Sequence, residues 1–174
     1  MSLLTILHYP DPRLHQRARP VEHIDPELQR TFDDMLETMY AAPGIGLAAT
    51  QVGIGLRFTV VDVSEAKDEP QVFINPEIIT RAGKCKSEEG CLSVPGYSDT
   101  VIRSQQVHVR ALNRAGEPFE VEAEELLAIC LQHEIDHLDG RLFIDRLSDL
   151  KRRRARRQIR RALREAQQDK TGAG

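Results

Sequence analysis

Apolar side chains at Leu28, Phe32, Met35, Leu36 and Met39 recur at helical spacing and form one stripe. Asp25-Pro26 precedes it, an N-cap followed by the residue favoured at the first helical position, and Ala41-Ala42-Pro43-Gly44 closes it. A Gly-rich segment, residues 44–53, follows. The pattern then turns β-branched: Phe58–Val63 reads as a strand, as does Val72–Ile74 before Asn75-Pro76, with a further short strand at Ile78–Thr80. Val107, Val109 and Ala111 alternate with polar residues, as in a half-buried strand. Asn113-Arg114-Ala115-Gly116 is a turn, and Pro118–Val121 pairs back as a hairpin. A second helix is predicted from Ala123 to Leu138. Leu126, Leu127, Ile129 and Leu131 spread apolar surface around it, so it is expected to be central and buried, and Asp139-Gly140 stops it. A last helix spans about Asp149 to Gln168, and Thr171–Gly174 is expected to be disordered. The element order indicates an α+β fold: mainly antiparallel β-sheets packed around a central helix, with an N-terminal and a C-terminal helix.

Length and composition sharpen this only a little. The 174 residues fit one domain: a main body over 1–150 and, as part of it, a basic helix with a disordered end over 151–174. No run reaches the roughly 18 apolar residues of a membrane span. The segment Met1–Leu7 has no basic residue, and its short apolar stretch is soon broken by Pro10 and Pro12, so a cytoplasmic protein without a membrane partner is expected. Three cysteines (Cys85, Cys91, Cys130), without C-x-x-C spacing, argue against a disulfide framework and leave metal ligation or burial. Charge is uneven. Residues 1–150 carry 14 Lys/Arg against 25 Asp/Glu, whereas residues 151–174 carry 10 against 2.

The candidate chemistry lies in the second helix, at His133-Glu134-Ile135-Asp136-His137. Residues four apart are rotated by about 40° and raised by about 6 Å, so both imidazoles share one face and can bind one metal ion. Glu134 follows the first histidine and can flank the metal's open position as a base, the arrangement of a metallohydrolase. The bland alternative is a hydrogen-bonded core histidine pair. Burying these groups beside Ala128-Ile129-Cys130-Leu131 without partners would be costly, which favours the metal. A catalytic site needs a third protein ligand and an open position. The metzincin extension is absent, and Asp145 and Asp149 stand in no ligand pattern. Cys91, in Glu88-Glu89-Gly90-Cys91-Leu92-Ser93-Val94-Pro95, is the better candidate; Cys130, three residues before His133, competes but reads as a small buried hydrophobe. Cys85, between two lysines, reads as exposed.

Three segments together resemble the peptide deformylase family: Gly44-Ile45-Gly46-Leu47-Ala48-Ala49-Thr50-Gln51, Glu89-Gly90-Cys91-Leu92-Ser93 and Gln132-His133-Glu134-Ile135-Asp136-His137. They match G-x-G-x-A-A-x-Q, E-G-C-L-S and H-E-x-D-H in order. The resemblance extends through Pro10–Leu14 and Phe73–Pro76, covering about residues 3–150. It implies removal of the formyl group from the N-terminal formyl-methionine of newly synthesised polypeptides. It further implies that Cys91, His133 and His137 bind one divalent metal, Fe(II) foremost with Zn, Ni or Co able to replace it, and that Glu134 is the general base and acid. Gln51 and the backbone N–H of Leu92 then stabilise the oxyanion. Gly44, Ile45, Gly46, Ile129 and Cys130 receive the methionine, and Glu89 and Arg103 form a supporting ion pair. Gly96–Thr100 departs from members with a basic residue near Ser98.

The residues suit that chemistry independently. A formamide carbonyl is a poor electrophile, two neutral imidazoles and a thiolate leave a divalent site near charge +1, and a bound water can then approach a pKa of about 7. The basic run Lys151–Arg164 reads as a solvated helix resting on an acidic body through Leu150, Ala155, Ile159 and Ala162. In the family such a helix docks on the ribosome in some members. It carries no interleaved aromatic residue for base stacking, and no DNA partner is expected. Two rival readings are an H-E-x-x-H endopeptidase and a noncatalytic ribosome- or RNA-binding protein with a structural metal.

Overall fold

The computed structural model describes residues 2–172. Helix α1 spans Pro26–Ala41, with the Asp25 side chain accepting from the Leu28 N–H at 2.8 Å, as the N-cap pattern predicts. Seven strands follow in two antiparallel sheets: β1 (Gly46–Ala48), β2 (Phe58–Val61), β3 (Gln71–Ala82), β4 (Cys85–Cys91), β5 (Val94–Arg103), β6 (Gln106–Leu112) and β7 (Pro118–Glu124). One sheet has the order β1-β2-β3-β6-β7, and the other is the β4–β5 hairpin. Helices α2 (Glu125–Leu138) and α3 (Asp149–Gly172) complete an α+β fold.

Strand β2 explains why α2 is central. All four of its residues are buried, so it reads as a continuous apolar run rather than an alternating one. Phe58 and Val60 pack with Phe32, Met35 and Met39 of α1, whereas Val61 joins Ala128, Leu131 and Ile135 of α2. The β4–β5 hairpin closes over α2 from elsewhere. Its Val94 and Val101 form another cluster with Phe143, Ile144 and the α3 residues Ala155 and Ile159.

Several elements differ from expectation. The two strands foreseen around Asn75-Pro76 are one, β3, bent by a register shift between Ile74 and Glu77. Asn75 turns there with φ +53, its side chain bonding both backbone groups of Val21, while Arg57 takes the Pro76 carbonyl. A bulge is where a strand tolerates proline's missing N–H. Helix α2 starts at Glu125, not Ala123, because β7 stays paired with β6 through Glu124. Strand β5 was not foreseen, since residues 96–100 alternate no apolar groups. Helix α3 extends through Thr171 and Gly172, which were expected to be disordered; residues 173–174 lie outside the described residues. Its buried strip is Ala155 and Ile159 with Leu163 packed beside them, while Leu150 and Ala162 are exposed. Cys85 is half-buried rather than exposed. None of the helices among the described residues is long and apolar enough to cross a membrane.

The segment ahead of α1 works as a strap. The Leu7 N–H donates to the Gln51 carbonyl at 2.7 Å and the Tyr9 N–H to the Ser93 carbonyl at 2.8 Å. Residues 7–9 thus tie the end of β1 to the loop between β4 and β5.

Candidate metal centre and its cleft

The helical period brings His133 and His137 together as expected: their Nε2 atoms are 3.1 Å apart. Cys91 ends β4 where the hairpin register shifts, so its side chain leaves the ladder and its Sγ lies 3.2 Å from His137 Nε2. The three donor atoms all lie within 4.8 Å of one another, and Cys91, not Cys130, is the sulfur that joins the histidines. Cys130 is buried, its Sγ directed at the Ile45 carbonyl at 3.7 Å.

The donor set fits a cation. Burial works against a charged His133, yet hydrogen bonding to Cys91 and Glu89 outweighs it and raises its pKa to about 10. Burial and the charge of His133 push His137 the other way, toward the neutral imidazole that ligates metals. Three convergent soft and borderline donors within 4.8 Å of one another suit a divalent ion.

Glu134 is 4% exposed, and burial pushes its pKa up to about 7 against the lowering charges of His133 and Arg103. Its Oε2 has no hydrogen-bond partner among the described residues. Gln51 stands on the 3-10 turn after β1 (Ala49–Val52). Its Oε1 accepts from the Ala48 N–H at 2.9 Å, which turns Nε2 toward Ser93 Oγ (3.1 Å) and Cys91 Sγ (3.6 Å). The side-chain amide thus presents its N–H groups to the Cys91 sulfur and the neighbouring Ser93 hydroxyl. Leu92 is the next residue after Cys91, in the two-residue loop of the hairpin.

Gln51, Cys91, Leu92, Cys130, His133 and Glu134 share one cleft of about 470 Å³. The segment at β1 contributes Gly44, Ile45 and Gly46; the hairpin contributes Glu88–Leu92, Gly96 and Tyr97; α2 contributes Leu126, Ile129, Cys130, His133 and Glu134. All five residues expected to receive a methionine line it. Glu89 and Arg103 form a buried two-bonded pair at 2.7 and 2.8 Å, and Glu89 Oε1 also lies 2.9 Å from His133 Nδ1. Arg103 and His133 outweigh burial and lower the Glu89 pKa to about 2.

The sequence reading missed several members. Leu126, taken as buried, is 48% exposed at the cleft; it stands seven residues before His133 on the same helical face, a spacing that could have placed it. Tyr97 stacks on Phe143, which stacks on His133, with centroids 6.2 Å apart in each pair. Asp136, inside the pentapeptide, was given no task; it binds Arg103 and Arg146, a long-range arrangement that spacing does not reveal.

A cysteine sulfur and two imidazoles converging beside a buried carboxylate define a candidate mononuclear metallohydrolase site. Residues 3–153 match the family model for polypeptide deformylase. The chain belongs to that family. It is 57% identical over 159 residues to the peptide deformylase of Chromobacterium violaceum, covering 91% of this chain and 95% of the relative. Among solved structures, a peptide deformylase from Legionella pneumophila superposes with TM-score 0.91 at 52% identity, covering 95% of this chain and 98% of that one. The Ehrlichia chaffeensis peptide deformylase, solved in complex with actinonin, superposes with TM-score 0.88 at 42% identity over 93% and 98% of the two chains.

Proposed function

We propose that this cleft removes the formyl group from the N-terminal formyl-methionine of newly synthesised polypeptides, with Cys91, His133 and His137 holding one divalent metal, Fe(II) foremost. When bound, the metal supplies Lewis acidity toward the formyl oxygen and a water acidic enough to ionise near neutral pH. The observation that carries the reading is the convergence of those three donors beside buried Glu134.

Glu134 takes a proton from the attacking water and returns one to the departing amine. A pKa raised to about 7 suits both duties, since a group poised near the working pH accepts and donates readily. Gln51 Nε2 and the Leu92 N–H donate to the oxygen that becomes negative; uncharged, preorganised donors of this kind are worth about 3 kcal/mol each. Gly44, Ile45, Gly46, Ile129 and Cys130 hold the methionine, and the remaining peptide leaves past Leu126 and Tyr97. Glu89, itself fixed by Arg103, accepts from His133 Nδ1–H and directs Nε2 toward the metal.

Helix α3 serves as a ribosome-docking element. Arg153, Arg154, Arg157, Arg160, Arg161 and Arg164 are exposed, while Ala155 and Ile159 anchor it. Such work on emerging chains belongs in the cytoplasm.

The test is formate release from a formyl-Met tripeptide by metal-replete protein, with Cys91→Ala beside it. Release by the wild type and loss of both metal and activity in the variant are expected. Internal cleavage of an unformylated peptide in place of formate release would overturn the reading.

A further inference from the structure

Behind the metal donors runs a chain of charged side chains that the reaction does not touch. Glu89, Arg103 and Asp136 are nearly fully buried, their side chains 5%, 2% and 8% exposed, and together they carry one net negative charge. Arg146, on the 3-10 turn after α2 (Phe143–Arg146), neutralises it. Its Nε and Nη2 donate to Oδ2 and Oδ1 of Asp136, both at 2.6 Å. Asp136 Oδ2 also accepts from Arg103 Nη1 at 2.6 Å, and the other arm of Arg103 forks onto Glu89, the partner of His133.

We infer that Arg146 is a positioning residue for the metal site, acting through Asp136, Arg103 and Glu89 on His133. Arg103 is shared between two buried carboxylates, and where its fork rests depends on what else holds them. With Arg146 in place, Asp136 has a two-bonded cation of its own and Arg103 keeps two N–H groups on Glu89. Without Arg146, Asp136 Oδ1 loses this charged partner and the buried cluster becomes net negative, a costly state that draws Arg103 toward Asp136. Glu89 is then less well held, and with it the His133 tautomer that leaves Nε2 free to ligate. The turn that returns the chain to Asp136 is closely fitted: Gly140 has φ +80, and a Cβ there would stand 2.6 Å from the His15 carbonyl oxygen. This inference rests on the proposed reading of His133 as a metal ligand.

The test uses the full chain loaded with Zn(II) and challenged with excess chelator, at a temperature where every variant is folded. Arg146→Met should release zinc about 10- to 100-fold faster than wild type, the range that partners behind metal ligands command. Arg146→Lys, which keeps the charge and one hydrogen bond, should fall between. In a Glu89→Met background, which has no acceptor for Arg103 or His133, the link is already cut, so adding Arg146→Met should change the rate by less than about twofold, a non-additivity that mere loss of stability does not produce. A wild-type rate in Arg146→Met, or the same acceleration in both backgrounds, overturns the inference. Should Arg146→Met not fold, Arg146→Lys decides: intermediate release supports the inference and wild-type release overturns it. His133→Ala separates the two readings. If it keeps zinc as wild type does, the ligand reading and this inference both fall. If it loses zinc, the ligand reading stands, and an unchanged Arg146→Met removes this inference alone.

Discussion

Gly46 and Glu134 are packed so closely that a Cβ on residue 46 would stand 2.9 Å from Glu134 Oε1, and 2.8 Å from Cys130 Sγ. The strand cannot retreat easily, because Gly46 pairs with Val61 in the sheet. Gly46→Ala should therefore displace the Glu134 carboxylate while the fold survives. A shift near 1 Å at a reacting group costs on the order of 10²-fold, so kcat on a formyl-Met tripeptide should fall by about that factor. Wild-type kcat in the alanine variant would refute the close fit.

Glu134→Ala removes the base without touching a metal donor. The protein should keep its metal by elemental analysis and lose about 10²- to 10⁴-fold in kcat. Metal-replete mutant protein turning over near the wild-type rate would remove Glu134 from the role of base.

The metal itself is testable by its chemistry with oxygen. Fe(II) beside the Cys91 sulfur should make the enzyme sensitive to air and peroxide, whereas Ni(II)- or Co(II)-loaded protein should persist. Equal half-lives of the iron and nickel forms in air would argue against iron as the native ion.

Asp62 offers a pH test away from the site. Burial disfavours its charge, but hydrogen bonds from Ser64, from Tyr40 and from the Ser64 and Glu69 backbones outweigh it and hold its pKa below the ordinary value. A carboxyl lowered on folding adds stability above its unfolded pKa, near 4, and that stability is lost as pH falls through the lower folded value. Tyr40→Phe deletes the 2.5 Å bond to Asp62 Oδ2 and should cost about 1.5–3 kcal/mol at pH 7. The cost should shrink as pH falls below the unfolded carboxyl value and through the lower folded one, measured as the difference in urea unfolding between variant and wild type. A pH-independent difference would mean that Tyr40 acts through packing alone.

Docking by α3 calls for charge reversal rather than truncation. Removing everything after Leu150 would also take Ala155 and Ile159 out of the core. Replacing exposed Arg153, Arg157, Arg160 and Arg164 by Glu should lower ribosome affinity at least tenfold in a salt-dependent way, with tripeptide turnover unchanged. Unaltered affinity in a ribosome pelleting assay would reject the docking role.

What could be read ahead of the structure follows the range of the interactions. Helix α1 was legible in its start and its buried stripe because its cap and stripe are local. The His pair was legible because four residues on a helix fix their relation. Cys91 was legible only in part: residue type and the lack of a downstream ligand favoured it over Cys130, but its nearness to His137 depends on a register shift at a hairpin end, and the family motif was needed to fix it. Strand β5 escaped for a related reason, since its partner β4, not its own pattern, makes it a strand. The Arg146–Asp136–Arg103 chain joins three elements, and nothing local marks it.

The strap formed by Leu7 and Tyr9 has a consequence for how the protein is made and altered. Leu7 and Tyr9 gain these partners only once Gln51 and then Ser93 have been synthesised, so the two regions they join are tied together late. Fusions ahead of Leu3 leave these two backbone bonds intact. Deletions reaching Tyr9 remove both ties at once.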